Sequence, residues 1–300
     1  MNINRRDWIK KSGLITGASL GAPAFLRSIS QQENKPVMRI AHITDVHIRP
    51  ESGIPDRAIK CLEEIKEFDI DFFLNGGDSI QDASYDDVKR LRVMEQWEIW
   101  DQFREHIKDY DVYSCLGNHD MWWAAPSKND DMYGKEYAVD RLNIPSRYYS
   151  FDRGGWHFII LDGNNKGVSL DKEQWTWLEK DLDSVRESTP VLIMSHYPIL
   201  GVTGHFVGGQ YTDFEKFKSL FYKHRNKVKL CLSGHQHMLD TAWYNGVSYF
   251  CNGALSGFWW GDGNENSAGK GYYLETPPGF TIIELYKDGR FNNQYHPHTN

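Results

Sequence analysis

Short apolar runs recur along the chain and alternate with segments whose apolar residues lie three or four positions apart. Most of the runs are continuously apolar, which is typical of strands buried on both faces. They cover residues 37–43, 71–75, 112–116, 156–162, 191–195, 228–233 and 247–252. We therefore predict strands at these seven places.

Three segments carry the period of an amphipathic helix. The first runs through Val88, Leu91, Met94, Trp97, Phe103 and Ile107, the second through Trp175, Leu178, Leu182 and Val185, and the third through Phe214, Phe217 and Phe221. Steps of three or four residues place these side chains on one helix face. We predict that each face packs against the strands as part of the core.

The last part of the chain has a different pattern. The stretches YNGVSYF and GFTIIELYKDGRF carry Asn-Gly and Asp-Gly turns between apolar runs, which indicates hairpins. Parallel units followed by antiparallel hairpins predict an α/β fold, a four-layer α/β/β/α sandwich of two mixed sheets flanked by helices. Residues 258–279 form a long loop rich in Gly and aromatic residues, and loops of this length are often functional.

The first residues differ from the rest of the chain. A basic start is followed by a short, weakly apolar middle and a small-residue end, which is the pattern of an export signal. The paired Arg5 and Arg6, with Lys10 beyond them, resemble a twin-arginine signal, and we expect cleavage after Ala24. We predict a signal and linker over residues 1–34, a single domain over residues 35–300, and a periplasmic or extracellular location.

Composition and charge narrow the function classes. Of the 300 residues, 40% are hydrophobic and 25% charged, as in an ordinary globular protein, and the formal charge is −7. Residues 1–24 hold four basic residues and one acidic residue, so 30 basic and 40 acidic residues remain after them, a charge of −10. This balance argues against nucleic-acid binding or an anionic membrane surface. No run beyond the signal approaches the length of a membrane span.

The four cysteines show no close-paired spacing. Cys115 and Cys231 lie inside apolar strand-like runs, where a buried free thiol is the common state. We predict that the fold requires no disulfide.

Five of the seven predicted strands are followed directly by side chains that can bind metal ions. Ligands of open α/β sheets bind beyond the carboxyl ends of the strands, and donors two residues apart in an extended segment point to one face. Carboxylate, imidazole and amide groups without Cys suit Mn, Fe or Zn in a site that is not a structural zinc site. The candidates are Asp45, His47, Asp78, Asn118, His119, Asp120, His196, His235 and His237, with Asp78 able to bridge two ions.

The other histidines belong to no such set. We predict that His296 and His298 lie in a solvated terminus, although they form a His-x-His pair. Structural or surface positions are expected for His42, His106, His157, His205 and His224.

The ordered blocks DVH, GD, GNHD, a histidine at a strand end and GHQH resemble the five motifs of the calcineurin-like metallophosphoesterase superfamily. The resemblance implies the predicted sandwich and two metal sites. It assigns Asp45, His47, Asp78 and His237 to one ion and Asp78, Asn118, His196 and His235 to the other. It also implies that His119 is a catalytic residue near the phosphate, oriented by Asp120.

The same resemblance implies a dinuclear-metal phosphoester hydrolase. The expected mechanism is attack of a metal-bridging hydroxide on phosphorus, with His119 stabilising charge and protonating the leaving group. Purple acid phosphatases of this superfamily carry Tyr at the position of Gln81, and the sequence resembles more closely the small bacterial phosphodiesterases.

A phosphodiesterase acting on a small phosphoester is therefore the favoured interpretation. A phosphomonoesterase or protein phosphatase using the same site, and a metal-binding pseudoenzyme that serves in recognition, are the alternatives. The sequence favours neither a particular leaving group nor an oligomeric state.

Five aromatic residues flank the motifs or lie in the late loop, namely Trp122, Trp123, Tyr197, Trp259 and Trp260. They could line a cleft for the leaving group or pack loops against the sheets. Both interpretations remain open at the level of sequence.

Overall fold

The computed structural model describes residues 35–51, 53–261 and 276–300. Two sheets account for the apolar runs. The first contains β1 (Met38–Ile43), β2 (Phe72–Asn75), β3 (Val112–Ser114), β10 (Gly279–Leu285) and β11 (Phe291–Pro297) in the order β11-β10-β1-β2-β3. The second contains β4 (Tyr149–Arg153), β5 (Trp156–Leu161), β6 (Val191–Ser195), β7 (Val228–Ser233), β8 (Asp240–Tyr244) and β9 (Val247–Cys251) in the order β4-β5-β6-β7-β9-β8.

Both sheets are mixed. β1, β2 and β3 run parallel, and the hairpin of β10 and β11 completes the first sheet in the antiparallel sense. In the second sheet β5, β6, β7 and β9 are parallel, while β4 and β8 are antiparallel edge strands. The Asn-Gly and Asp-Gly turns lie at the β8–β9 and β10–β11 connections, as the sequence predicts.

Six helices connect the strands in the described part of the chain. They are α1 (Ile54–Lys66), α2 (Arg90–Glu105), α3 (Lys135–Leu142), α4 (Lys172–Ser184), α5 (Thr203–Val207) and α6 (Phe214–Lys223). Among the described residues, none of the helices has the length and apolar character needed to cross a bilayer.

Alternate residues of the second sheet serve two cores. Phe158 and Ile160 of β5 belong to a cluster shared with the first sheet, where the Phe72 ring lies 5.7 Å from the Phe158 ring. Ile159 faces the opposite side and joins a cluster that includes Trp175 of α4. Because β-strand side chains alternate between faces, a continuously apolar strand is buried on both sides. The predicted four-layer sandwich is confirmed.

Four elements were not predicted from the sequence: the helices α1, α3 and α5 and the edge strand β4. The signal for α1 was present, since its buried residues Ile54, Ala58, Cys61, Leu62 and Ile65 follow the helical period and Pro55 stands in its first turn. In contrast, β4 has a mixed burial pattern that resembles a loop as much as a strand.

The predicted buried face of α2 is partly wrong. Leu91 is 78% exposed and Met94 is also exposed, whereas Val93 and Trp100 are buried with Trp97. Both sets of residues follow the helical spacing, and the face that includes the bulky Trp100 is the one that packs into the core.

The four cysteines are buried free thiols.

The prediction of a solvated terminus is wrong for His298. This residue is only 4% exposed, and its Nε2 atom lies 2.7 Å from the carbonyl oxygen of Leu255. The strand β11 carries the chain back onto the fold and places His298 against the segment that follows β9.

His157 of β5 is a structural histidine, as expected. Its Nδ1 atom lies 2.8 Å from Asp152 Oδ1 and its Nε2 atom 2.9 Å from Asp181 Oδ2. Burial acts to lower the pKa of His157, but hydrogen bonds to Asp181 and Asp152 raise it above its ordinary value. The imidazole, when protonated, therefore links β4, β5 and α4 through two carboxylates.

We predict that His157→Gln destabilises the protein in a pH-dependent way. A pKa that is raised in the folded state contributes stability below the unfolded pKa of about 6.5 and loses it as the pH rises through the folded value. The free energy of unfolding should fall by about 1–3 kcal/mol at about pH 5.5 and by less at about pH 8.5. Denaturant unfolding at both pH values measures this, with the exposed His205→Gln as the control. An equal loss at both pH values would contradict the ion-pair role.

Candidate metal centre

Side chains that could bind metal ions converge where the carboxyl ends of the two sheets meet. They follow β1, β2 and β3 of the first sheet and β6 and β7 of the second. Asp45, His47 and His237 form one group, and Asp78, His196 and His235 form another, with the ligand atoms of each group within 4.8 Å of one another.

The first group presents ring nitrogens that face each other. The Nε2 atoms of His47 and His237 lie 3.1 Å apart, and His237 Nε2 lies 3.3 Å from Asp45 Oδ1. The Nδ1 atoms of the same histidines lie beside the carbonyl oxygens of Gln81 and Gly257. A carbonyl only accepts hydrogen bonds, so Nδ1 carries the proton, and in a neutral ring Nε2 then presents a lone pair. A cation relieves the repulsion between two lone pairs held this close.

The second group is equally rich in acceptors. His196 Nδ1 donates to the carbonyl oxygen of Gly76. His196 Nε2 then faces Asn118 Oδ1 at 3.0 Å, Asp78 Oδ2 at 3.2 Å and His235 Nδ1 at 3.2 Å. Carboxylate, amide and imidazole donors directed at one point fit a divalent cation, and backbone carbonyls behind the rings are typical of metal-binding histidines.

Asp78 joins the two groups. Its Oδ2 atom lies 3.2 Å from His196 Nε2 and 3.6 Å from His47 Nε2, so one carboxylate faces both sets of donors. This is the placement expected of a bridging ligand in a two-metal site. The structure therefore brings together all seven predicted metal-binding residues.

The crowded acceptors shift the pKa values of the group members. Burial lowers the pKa of His47 and of His235 to about 3. Burial also acts to lower the pKa of His196, but the charge of Asp78 outweighs it and raises the value to about 9. Burial acts to raise the pKa of Asp78, yet the charges of His196 and His119 hold it well below its usual range. The site thus favours an added positive charge, which a bound cation supplies.

The backbone at the site is strained. Five of the predicted ligands have positive φ angles between 45° and 70°, a region that non-glycine residues seldom occupy: Asp45, His47, Asp78, His235 and His237. Conformations of this kind cost of order 1–3 kcal/mol each and cluster at functional sites. The sheets that precede these turns hold the strained residues in place.

Two glycines of the motifs are required by close packing rather than by backbone conformation. A Cβ atom on Gly117 would lie 1.9 Å from the Asp78 nitrogen, and one on Gly234 would lie 2.2 Å from Asp45 Oδ2. These glycines of the GNHD and GHQH motifs let neighbouring strand ends approach closely enough for the candidate ligands to converge.

His119 lies beside the metal-binding groups, with Nε2 3.9 Å from Asp78 Oδ2. Its Nδ1 atom lies 2.9 Å from Asp82 Oδ2, an ion-pair contact in which the N–H bond is not aligned on the acceptor. Burial acts to lower the pKa of His119, but the charges of Asp78 and Asp82 raise it. The orienting residue is therefore Asp82, which the sequence analysis missed although it lies only four positions beyond Asp78.

The predicted orienting role of Asp120 is wrong. Its Oδ2 atom accepts hydrogen bonds from the backbone of Gly117 and Asp78, and its Oδ1 atom accepts from Ser79. Burial and the charge of Asp78 raise the pKa of Asp120 to about 6. Asp120 links the turn of the GNHD motif to the turn of the GD motif through these hydrogen bonds, so its role is structural.

The aromatic candidates divide into three kinds. Trp122 and Trp260 are buried, and their indole nitrogens donate to the carbonyl oxygens of Val88 and Val46, which fits the packing of loops, one of the two interpretations that the sequence leaves open. Trp123 is 40% exposed and packs against Tyr133.

Tyr197 and Trp259 contact the metal-binding histidines directly. The Tyr197 ring lies 4.5 Å from the His235 ring, and the Trp259 ring lies 3.8 Å from the His47 ring. These two residues are the aromatic neighbours of the second and the first group, respectively.

The chain is similar to several known phosphoesterases. It is 29% identical over 156 residues to purple acid phosphatase 15 of Arabidopsis thaliana, covering 49% of this chain and only 28% of that protein. It is 26% identical over 276 residues to a probable cyclic nucleotide phosphodiesterase of Synechococcus, covering 86% of this chain and 92% of that protein. A dimetal phosphatase from Danio rerio has a similar fold, with a TM-score of 0.60 and 17% identity over 87% of this chain and 96% of that chain.

The sequence model of the calcineurin-like phosphoesterase family matches residues 38–239, which span every strand end that carries a candidate ligand. The match covers more than half of the chain and agrees with the two-sheet fold and the paired ligand groups. The chain therefore belongs to the calcineurin-like phosphoesterase family.

Proposed function

We propose that this chain is a metal-dependent phosphodiesterase that hydrolyses a small phosphoester. The observation that carries the proposal is the pair of acceptor-rich groups that share the Asp78 carboxylate, with the ion pair of His119 and Asp82 beside them. A family of phosphoesterases and a site built for two cations together indicate phosphoryl chemistry.

The residues of this chain would hold two ions of Mn, Fe or Zn. Asp45, His47, Asp78 and His237 would hold the first, and Asp78, Asn118, His196 and His235 the second. Bound at these positions, such ions lower the pKa of water and neutralise charge on phosphoryl oxygens. The acidic body of the chain offers no comparable source of positive charge.

His119 would act on the leaving group. The charges of Asp78 and Asp82 raise the pKa of His119 above its ordinary value, and Asp82 lies beside Nδ1 so that Nε2 faces the shared carboxylate. A proton on Nε2 can stabilise a developing negative oxygen and be transferred to the departing alkoxide. Asp82 acts only through His119.

Relatives that match this chain over nearly their whole length support a diester substrate. The Synechococcus relative, which matches over nearly its whole length, is named as a probable cyclic nucleotide phosphodiesterase, and a Nostoc relative is named as a 3',5'-cyclic-nucleotide phosphodiesterase. A phosphomonoesterase is the second candidate, because the plant relatives are named as purple acid phosphatases.

We predict that chelator-treated protein is inactive and that Mn, Fe or Zn restores activity on bis-p-nitrophenyl phosphate above that on p-nitrophenyl phosphate. The reason is that the ligand groups require two cations and the favoured substrate is a diester. Initial rates on both esters for each metal measure this. A monoester preference would support the second candidate, and two bound ions without hydrolysis of either ester would support a recognition protein.

His119→Ala should lower kcat by roughly 10²–10⁴-fold while the metal content stays at the wild-type value, because His119 supplies proton transfer and binds no metal. Asp82→Asn should lower kcat by less, since it leaves the imidazole in place. Asp78→Asn is the matched comparison and should lose metal. Rates beside metal analysis separate the three variants, and an active His119→Ala variant would contradict the assignment.

We also propose that residues 1–34, which lie outside the described residues, are an export signal and linker ahead of a catalytic domain at 35–300, and that the mature protein is periplasmic or extracellular. The paired Arg5 and Arg6 and the small residues before position 25 support this proposal.

Replacing Arg5 and Arg6 together by Lys should abolish export through the twin-arginine route, because that route reads the arginine pair. Expression in a bacterial host that has this route, with detection of the shortened chain in the periplasmic fraction, measures the effect. Lys10→Arg serves as the control. Export of the double variant at the wild-type level would contradict the proposal.

A further inference from the structure

The segment after β9, residues 255–260, covers the first ligand group and is called here the buttress segment. The Leu255 nitrogen donates to the carbonyl oxygen of Thr44 at 2.9 Å, and Ser256 Oγ donates to the carbonyl oxygen of Asp45 at 2.7 Å. The carbonyl oxygen of Gly257 accepts from His237 Nδ1. This segment therefore makes hydrogen bonds to two of the first-group residues, Asp45 and His237.

The two tryptophans of the buttress segment contact the rest of the first group. The Trp259 ring lies 3.8 Å from the His47 ring and 5.7 Å from the His237 ring. Trp260 Nε1 donates to the carbonyl oxygen of Val46, the residue between Asp45 and His47, at 2.8 Å. Every ligand that belongs only to the first site thus touches the buttress segment or is adjacent to a residue that does.

Both tryptophans have positive φ angles, 56° for Trp259 and 63° for Trp260. This region is unfavourable for bulky residues, so such a conformation persists only when surrounding contacts hold it. The buttress segment therefore needs an external anchor.

Arg57 of α1 supplies that anchor. Its guanidinium donates through Nη1 to the carbonyl oxygen of Trp260 at 3.2 Å and through Nη2 to that of Asn300 at 3.0 Å. The same group lies 5.0 Å from the centre of the Trp260 ring, within the range of a cation–π contact. Only arginine combines a planar fork of N–H donors with a flat group that stacks on an aromatic ring.

The second ligand group is linked to this segment indirectly, because the His235 nitrogen donates to the Asp45 carboxylate and the Asp45 carbonyl oxygen accepts from Ser256 Oγ. His196 and His235 are held by Gly76 and by each other, and among the described residues no hydrogen bond or ring contact joins residues 255–260 to Asn118, His196 or His235. Loosening the buttress segment should therefore affect one metal site and spare the other.

We propose that Arg57 is a positioning residue that acts through Trp260 and the buttress segment to set the affinity of the first metal site. The inference rests on the proposed two-metal function. Residues that orient metal ligands change metal affinity by roughly 10–100-fold when they are removed.

The test compares Mn²⁺ binding by the wild type, Arg57→Ala and Arg57→Met in the full chain. Equilibrium titration gives the two affinities, and electron paramagnetic resonance distinguishes two coupled Mn²⁺ ions from isolated ones. Arg57→Met keeps part of the aliphatic side chain over Trp260 but loses the guanidinium. It replaces Arg57→Ala in the comparison if the alanine variant does not fold. Arg141→Ala is the matched control, because Arg141 also stacks on a tryptophan, Trp97, at 5.8 Å, away from the metal centre.

Removal of the Arg57 guanidinium should weaken one Mn²⁺ site about 10-fold or more, leave the other unchanged and convert the coupled signal into that of isolated ions. The Arg141→Ala control should retain both ions. Unchanged binding in the Arg57 variants, an equal loss at both sites, or the same selective loss in the control would overturn the inference while the proposed function stands. A wild type that binds none of Mn²⁺, Fe²⁺ and Zn²⁺ would overturn both.

Discussion

The structure depends on one electrostatic constraint, the crowding of buried lone pairs and carboxylate oxygens around Asp78. Imidazole nitrogens of the first group face each other at 3.1 Å, and the second group directs three acceptors at His196 Nε2. Such an arrangement is costly in a buried place unless a positive charge enters it. The chemistry proposed for the protein is a direct consequence of this need for cations.

The sheets make the crowding possible because they are buried on both faces. Strands such as β5, which serves the inter-sheet core with one set of side chains and α4 with the other, have little freedom to shift. Their rigid ends hold five ligand residues at positive φ, a conformation that flexible loops would relax. Burial of apolar side chains far from the site thus maintains the strain within it.

Contacts outside the ligand set divide the centre into two parts with different supports. The first group contacts residues 255–260, which Arg57 of α1 anchors at Trp260, whereas the second makes hydrogen bonds to the turn that follows β2, to Asp45 and among its own members. Asp82 and Asp120 divide the roles in a similar way, since one carboxylate faces His119 and the other fastens two backbone turns. Neighbours in sequence are therefore a poor guide to function at this site.

The sequence by itself determined the sandwich, most of its strands and the candidate ligands that the structure brings into two groups. This was possible because the period of apolar side chains records burial, and because the ligands follow strand ends that parallel topology must bring together. Only the tertiary structure decided which carboxylate faces His119, which tryptophans are buried, and that His298 and Arg57 contact residues 255–260. Those outcomes depend on contacts between residues distant in the chain, which local spacing does not encode.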